Sequence, residues 1–320
     1  MTTNKIVFWA SDYSDKSGEG KLALLFVNRL KKYNKNNKTK LIKSIFTKTN
    51  KKGNKIFFSS WIHKYLGSIY GAGNLWYYYF RGYKTCYLNY LPLWNFLIFL
   101  FLPPNSILGP ITGSVSRSNS FFLKKILERI SVLIIKLRYK KVIFSNNFYK
   151  KIFKKSLHNF IMSNFSVRNS EYKKKYDFVF YIRNEYFKKN IFFYNLIVSL
   201  LNLNFKIATI GDKIKLGNIK NFGYSDKKTV NKIISLSKCA VGNKENLYSF
   251  FIQDCLKYNL TVFYNKEFAK YELFKLNNFY PIDLTSQKKA LKEILQKAEI
   301  KNKKNHFKKI NFDSHFESLI

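Results

Sequence analysis

Lys244-Glu245-Asn246-Leu247-Tyr248-Ser249-Phe250-Phe251-Ile252-Gln253-Asp254-Cys255-Leu256 reads as a strand end, an acidic polar loop, and a helix that opens under Ser249. Its flanks make this stretch decisive. Lys238-Cys239-Ala240-Val241-Gly242 upstream has the composition of a short buried strand, and Leu260-Thr261-Val262-Phe263-Tyr264 downstream has that of the next. A loop that leaves the carboxyl end of a strand and enters a helix is where open α/β sheets hold phosphorylated ligands, because the helix amides face an anion there. Glu245 or its neighbours would then accept hydrogen bonds from ligand hydroxyls. The same residues also suit an ordinary strand-loop-helix connection with a Ser cap, and this stretch alone leaves both readings open.

Working outward, the alternation of short apolar runs and helical spacings repeats along the chain. Lys5 to Ala10 is a first strand, followed by a loop through Ser11, Asp12 and Gly18-Glu19-Gly20, then a helix from Lys21 to Lys32 with apolar residues at helical spacing. Leu41 to Phe46 reads as a strand, Lys51 to Lys55 as a basic turn, Trp61 to Phe80 as an aromatic helix, and Tyr83 to Asn89 as a strand. Leu108-Gly109-Pro110-Ile111-Thr112-Gly113-Ser114 reads as a loop, with two Gly and a Pro fixing a turn that bears hydroxyls. A helix from Phe121 to Tyr139 and a strand from Lys141 to Ser145 follow. Asn146 to Lys175 is polar and basic and reads as the connection between domains.

The alternation then restarts. Asp177 to Ile182 is a strand, Lys189 to Leu203 a helix, and Phe205 to Ile210 a strand ending in Gly211-Asp212. Asn218 to Phe222 is a short strand backed by Gly223, and Ser225 is placed to cap a helix to Ser237. Thr285 to Ile300 carries a helical stripe of Ala290, Leu291, Ile294, Leu295 and Ala298. The expected fold is α/β, with two Rossmann-like doubly wound domains facing across a cleft that holds the ligand. The expected boundaries are 1–150, 151–285, and a terminal helix with a basic tail over 286–320.

Composition bounds the function. The 320 residues are 46% hydrophobic and 18% aromatic, enough for two cores and incompatible with a disordered chain. The net charge of +40 comes from Lys, alongside abundant Asn, Ile, Phe and Tyr, all encoded by A/T-rich codons. Part of the charge is therefore compositional. No RNA-recognition aromatic motif, Cys/His finger or basic heptad helix is present, so no nucleic-acid partner is expected. An anionic partner, either a nucleotide phosphate or a lipid headgroup, remains in keeping with the charge.

Cys86, Cys239 and Cys255 have unrelated spacings, which excludes a disulfide framework and a Cys-rich zinc site and points to reduced buried thiols. No metal ligation is expected, since His63, His158, His306 and His315 lack ligand spacing. Lys5 precedes only Ile6 to Ala10 before polar residues, too short for a secretory signal, so the expected location is cytoplasmic. The apolar run Cys86 to Leu102 is interrupted by Asn89, Pro92 and Asn95, and reads as a buried strand entering an apolar helix or as a membrane-dipping surface.

Gly18-Glu19-Gly20 is not a full dinucleotide fingerprint, and no acidic residue follows at the right place, which rejects a dehydrogenase. Instead, the order of motifs over roughly Asp177 to Tyr264 resembles the nucleotide-sugar-binding domain of GT-B glycosyltransferases, in particular the retaining family 4 group. In that family a strand is followed by Arg, four residues and Lys, matched by Arg183-Asn184-Glu185-Tyr186-Phe187-Lys188 with Lys189 beside it. A strand ending in Gly-Asp is matched by Gly211-Asp212, and an Asn-to-Gly strand by Asn218 to Gly223. The family's two Glu residues, eight apart, fall on Asn246 and Asp254 in one register and on Glu245 and Gln253 in the other. Neither register has two glutamates, so the donor contact is atypical. In the first half, Gly18-Glu19-Gly20 looks like the family's glycine loop facing the donor sugar, and Gly109-Pro110-Ile111-Thr112-Gly113 resembles a loop near the cleft.

The resemblance implies a hexosyltransferase-like enzyme that moves a sugar from a nucleotide-sugar donor to a polysaccharide or lipid-linked glycan of the cell envelope, retaining and without metal or cofactor. Arg183, Lys188 and Lys189 would bind the donor diphosphate; Gly211, Asp212, Glu245, Asn246, Leu247, Tyr248, Ser249 and Asp254 would bind nucleotide and sugar. No catalytic nucleophile is implied, and His63 sits as well on a helix surface as in a cleft. The alternatives are a catalytically degenerate binding or scaffold relative, which the missing Glu pair favours, and a basic nucleic-acid binder, which only the charge favours. Trp76 to Arg81 and Leu93 to Phe101 suit peripheral docking on an anionic inner leaflet. The terminal helix is implied to cross back onto the first domain.

Overall fold

The computed structural model of the protein describes residues 5–10, 18–33, 39–43, 47–49, 55–57, 60–112, 122–144, 153, 157–159, 173–182, 191–242, 247, 249–272 and 276–298. They fall into two units, one within Met1–Ser163 and one within Asn164–Asn311. Each unit is built on a six-stranded sheet whose strands are all parallel.

In the first unit the strands are β1 (Ile6–Ala10), β2 (Thr39–Lys43), β5 (Lys84–Pro92), β6 (Ile107–Thr112), β7 (Val142–Phe144) and β8 (Leu157–Asn159). Their spatial order is β2-β1-β5-β6-β7-β8. A small antiparallel pair, β3 (Thr47–Thr49) and β4 (Lys55–Phe57), stands apart from this sheet. The helices are α1 (Gly18–Tyr33), α2 (Ser60–Phe80), α3 (Phe96–Phe101) and α4 (Phe122–Arg138).

Helices cover both faces of this sheet, so a strand such as Ile6–Ala10 is apolar at every position and buried throughout. Phe8 meets Phe26 of α1 edge-on, with ring centres 5.9 Å apart, whereas Val7 and Trp9 belong to the core that holds Leu75 of α2, Phe99 of α3 and Ile135 of α4. Trp9 stacks on Tyr87 at 4.7 Å. A side chain added at Gly71 of α2 would begin 2.3 Å from the Trp9 ring, so α2 is able to pack this closely only through glycine.

The second unit holds β9 (Tyr176–Ile182), β10 (Ile207–Gly211), β11 (Ile219–Asn221), β12 (Ser237–Val241), β13 (Thr261–Asn265) and β14 (Phe279–Ile282), in the order β11-β10-β9-β12-β13-β14. Its helices are α5 (Ile191–Asn202), α6 (Lys227–Ser235), α7 (Phe250–Lys257) and α8 (Gln287–Ala298), with a 3-10 helix at Lys266–Tyr271. One core gathers Phe178, Phe180, Cys239, Val241 and Phe263 of the strands with Phe193, Leu196, Ile197 and Leu200 of α5 and Ala290 and Ile294 of α8. Each fully buried Val, Leu, Ile or Phe among them contributes roughly 1.5–3 kcal/mol to the folded state.

Several expectations change here. The segment 108–112 is not a loop but most of strand β6. Pairing slips here on both sides: against β7, Gly109-Pro110 stand opposite the single Ile143 and form a bulge in β6, whereas against β5 the extra residue lies in β5, with Asn89-Tyr90 opposite Pro110. Pro110 has no N–H to give a ladder. Gly109, at φ +148, admits Ile143 of β7 so closely that a Cβ would start 2.5 Å from the Ile143 Cβ.

The stretch read as the connection between domains contains β8, which pairs with β7, and the buried Phe153. Helix α1 starts at Gly18, so Gly18-Glu19-Gly20 is its first turn and not a turn before it. Asp226, not Ser225, caps α6: its carboxylate accepts from the Thr229 amide at 2.7 Å, while Ser225 donates to the Phe222 carbonyl. Helix α8 buries Ala290 and Ile294 in the second unit, against α5 and β14.

Candidate functional site

In the second sheet the chain steps outward from β9 to β10 to β11, then returns to the other side of β9 as β12. Open α/β sheets bind ligands outside the carboxyl ends of the strands where the winding reverses. That point lies between β9 and β12. The chain leaving β9 at Ile182 enters directly the segment holding Arg183, Lys188 and Lys189, and the chain leaving β12 at Val241 enters the segment holding Glu245, Asn246 and Tyr248. These six residues lie outside the described residues, as does Gly113 of the first unit. Topology therefore sends the two predicted donor segments away from adjacent strands, from the same edge of one sheet.

The described residues around that edge are tightly determined. Gly211 ends β10 at φ +95, and a Cβ there would begin 2.2 Å from the Ile182 carbonyl oxygen. No other residue type fits both the conformation and the space. The Gly211 amide donates to the Gly223 carbonyl at 3.0 Å, and the Asp212 amide donates to the Ile182 carbonyl at 3.0 Å. Gly211-Asp212 is thus stitched to the last residue before Arg183. Behind it, the Asn221 side chain accepts from the Thr209 hydroxyl at 2.7 Å and donates to the Ile214 carbonyl at 2.9 Å, fixing the loop after Asp212. Sequence reasoning noted the Asn-to-Gly strand but not this role of Asn221.

On the β12 side, the buried Gly242 donates its amide to the Phe263 carbonyl at 2.7 Å, and a Cβ would begin 3.0 Å from Ile252 of α7. Leu247 is buried. Ser249 caps α7 as expected, its hydroxyl accepting from the Ile252 amide at 3.3 Å. The Tyr181 ring of β9 lies 5.8 Å from the Phe251 ring in the first turn of α7, tilted by 31°. This contact joins the β9 end to the α7 start across the reversal point. An aromatic pair between residues 70 apart has no local signal in the sequence.

Of the acidic pair, Gln253 is buried, and Asp254 forms an ion pair with Lys227 in the first turn of α6. The Asp254 side chain is 14% exposed. Lys227 is a site residue the sequence did not single out, and its only cue was its place beside the Asp226 cap.

In the first unit the reversal lies between β1 and β5. Gly18 and Glu19 stand in the first turn of the helix after β1, with Gly20 buried, and Thr112 pairs with Pro92 at the carboxyl ends of β6 and β5. At the opposite, amino edge of the second sheet, a cavity of about 410 Å³ is lined by Lys175, Tyr176, Phe205, Lys206, Asn218 and Lys220. Burial raises the Asp177 carboxyl at that edge, but the Lys238 ammonium at 2.7 Å and the Lys206 amide at 2.9 Å outweigh burial and hold it below the usual carboxylate range. Among the described residues no cluster of His, Cys, Asp or Glu is arranged to hold a metal ion.

The chain is similar in fold to WaaG, a glycosyltransferase involved in lipopolysaccharide biosynthesis, with a TM-score of 0.57, 11% identity, and 92% of this chain and 90% of that chain covered. It is also similar to HepE of Anabaena, solved in complex with UDP, with a TM-score of 0.53, 9% identity, and 98% and 94% covered. No family model and no curated protein matches the sequence. At these identities the likeness shows the fold, which is that of the GT-B glycosyltransferases: two Rossmann-like domains, each on its own parallel sheet.

Proposed function

We propose that the protein is a glycosyltransferase that takes a sugar from a nucleotide-sugar, the donor bound at the carboxyl edge of the second sheet, and passes it to a polysaccharide or lipid-linked glycan. The observation that carries this reading is the topological one: the Arg183 segment and the Glu245–Ser249 segment leave β9 and β12, the two strands that flank the reversal of winding. Arg183, Lys188 and Lys189 would neutralise the charge that grows on the nucleoside diphosphate as the glycosidic bond breaks. The α7 amino end beneath Ser249 adds partial positive charge near the same edge.

In the retaining, metal-independent course that the family 4 resemblance implies, the acceptor oxygen attacks from the face the diphosphate leaves. The departing phosphate oxygen takes the acceptor's hydroxyl proton. This chain's part is to hold both groups and stabilise the anion, so no side-chain nucleophile is needed. UDP is the nucleotide to test first, because it occupies HepE. With a lipid-linked acceptor the enzyme would work at the inner face of the membrane as a peripheral protein; no described helix is long and apolar enough to span.

The test is thermal unfolding with UDP, ADP, GDP and UDP-sugars, beside Arg183→Ala and Asp254→Asn. A ligand at about 100 times its dissociation constant adds roughly 2.7 kcal/mol to the folded state. A rise for UDP that Arg183→Ala abolishes is expected. If UDP affinity also falls at least tenfold in Asp254→Asn, Asp254 is a donor contact; if only stability drops, by less than about 1 kcal/mol, its pair with Lys227 is structural. Silence toward every nucleotide would sink the transferase and favour the degenerate relative, for which the ion-paired Asp254 and buried Gln253 already speak.

A further inference from the structure

Helix α4, Phe122–Arg138, sits in the first unit and has one buried side, at Ser131 and Ile135. Its exposed side is not polar. Phe122, Leu123, Ile126, Ile130, Leu133 and Leu137 are all exposed, Phe122 by 80% and Leu137 by 76%. At about 100° per residue these six fall in one arc of roughly 100°, the width at which a core helix buries its apolar face. Among the described residues nothing covers the arc. Exposed Lys125, Arg129 and Lys136 run along one border of the stripe, and the helix carries a single acid, Glu128. Beside α4 lies α3, whose Leu97, Leu100 and Phe101 also face outward. The Trp76 indole of α2 donates to the Phe101 carbonyl at 2.6 Å, which ties the end of α2 to this surface.

A second copy of the chain is a poor occupant. It would bring the same row of cations against this one, on a chain already at +40. An anionic bilayer meets both features: the apolar arc enters the boundary of headgroups and acyl chains, and the cations reach the phosphates. We propose that α4 lies in the plane of an anionic membrane leaflet, stripe inward, with Lys125, Arg129 and Lys136 on the headgroups and the outward side chains of α3 beside it. The helix is about 25 Å long and contacts the bilayer along its length without crossing it. This gives the peripheral-membrane part of the function above a defined surface, and it rests on that part alone, not on the donor chemistry. Of the two segments the sequence favoured for docking, Trp76 to Arg81 and Leu93 to Phe101, the proposal keeps the second, through α3, and adds a helix the sequence did not single out for this role.

The full-length protein is mixed with phosphatidylcholine vesicles, with or without phosphatidylglycerol, and sedimented without nucleotide. Binding to the anionic vesicles is expected. Leu133→Asp with Leu137→Asp should weaken it at least tenfold at unchanged thermal stability, because both positions are exposed. Lys125→Gln, Arg129→Gln and Lys136→Gln together should weaken it on the order of a hundredfold. Leu203→Asp, exposed in the second unit, should change nothing. If the Leu133→Asp, Leu137→Asp protein binds anionic vesicles like the parent, net charge alone is at work and the proposal falls. It falls too if the parent ignores lipid yet dimerises by light scattering and the double variant is monomeric. A UDP-induced thermal shift on the same proteins keeps the two readings apart: vesicle binding lost with the shift intact isolates α4, and vesicle binding intact with no shift in any protein overturns only the donor reading.

Discussion

The two sheets reverse their winding beside the first strand of each unit, yet the residues that follow are of opposite kinds. In the second unit the flanking strands end in backbone stitched by Gly211, Asp212 and Gly242, and the sequence runs on into Arg183, Lys188 and Lys189 after one strand and Glu245 to Ser249 after the other. In the first unit it leaves β5 into Leu93-Trp94-Asn95 and the apolar α3, on the side of the sheet where α4 also lies. Topology says where on an α/β sheet a ligand is held. It does not say what ligand; that is left to the side chains, charged and polar after β9 and β12 in the sequence of the second unit and apolar along the outward faces of α3 and α4 in the first.

The largest expected effect tests how rigidly the proposed donor edge is built. Gly211→Ala puts a Cβ 2.2 Å from the Ile182 carbonyl at φ +95, and should cost about 3 kcal/mol or more in urea unfolding. The matched change in the first unit, Gly73→Ala in α2, meets open space and should stabilise by about 0.5–1 kcal/mol. Equal effects at both sites would erase the contrast between a strained edge and a permissive helix.

Ser249→Ala removes the hydroxyl that accepts from the Ile252 amide and should cost about 1 kcal/mol, whereas Ser249→Gly should cost only a few tenths of a kcal/mol. A loss well above that would mean the Ser249 hydroxyl supports more than the helix start.

The smallest effect is electrostatic and belongs to the second unit. The carboxyls of Asp177, Asp226 and Asp283 are all held low: Asp177 by Lys238 and the Lys206 amide against its own burial, Asp226 by the Thr229 amide, Asp283 by the Thr285 hydroxyl. A carboxyl whose pKa is depressed on folding stabilises fully above its unfolded value, about pH 4. That stability is lost as pH falls through the lower folded values. The urea midpoint should therefore hold from neutrality to about pH 5 and drop below about pH 4, with a shallower drop in Asp177→Asn. An unchanged slope in that variant would remove the pair with Lys238 from the account.

The central strands were legible because parallel strands covered on both faces are continuous apolar runs. β1, β9, β10, β12 and β13 stand within a residue or two of where the sequence places them. The edges were not. β8 is Leu157-His158-Asn159, too short and polar to show a pattern, and β14 carries Pro281, which reads as a break yet is tolerated on the outermost strand. Gly109-Pro110 signalled a loop because bulges and turns use the same residues. Asp226 and Ser225 are both competent caps, and only the hydrogen bond decides between them. At the site, the glycines and the Ser249 cap were local and readable. The Lys227–Asp254 pair and the Tyr181–Phe251 contact join distant segments and have no sequence cue.

The three cysteines give the molecule its own reporters of local opening. Cys86 sits in β5 of the first unit, Cys239 and Cys255 in β12 and α7 of the second, and all three are buried. Burial pushes the Cys239 thiol up to about 12, and raises the other two as well, so none is a thiolate near neutrality. A thiol reagent must wait for its stretch of structure to open before it reacts, and its rate then measures the free energy of that opening. Because one thiol lies in the first sheet and two in the second unit, a single labelling time course, read peptide by peptide, separates the opening of the unit assigned the donor from that of the unit bearing the apolar face.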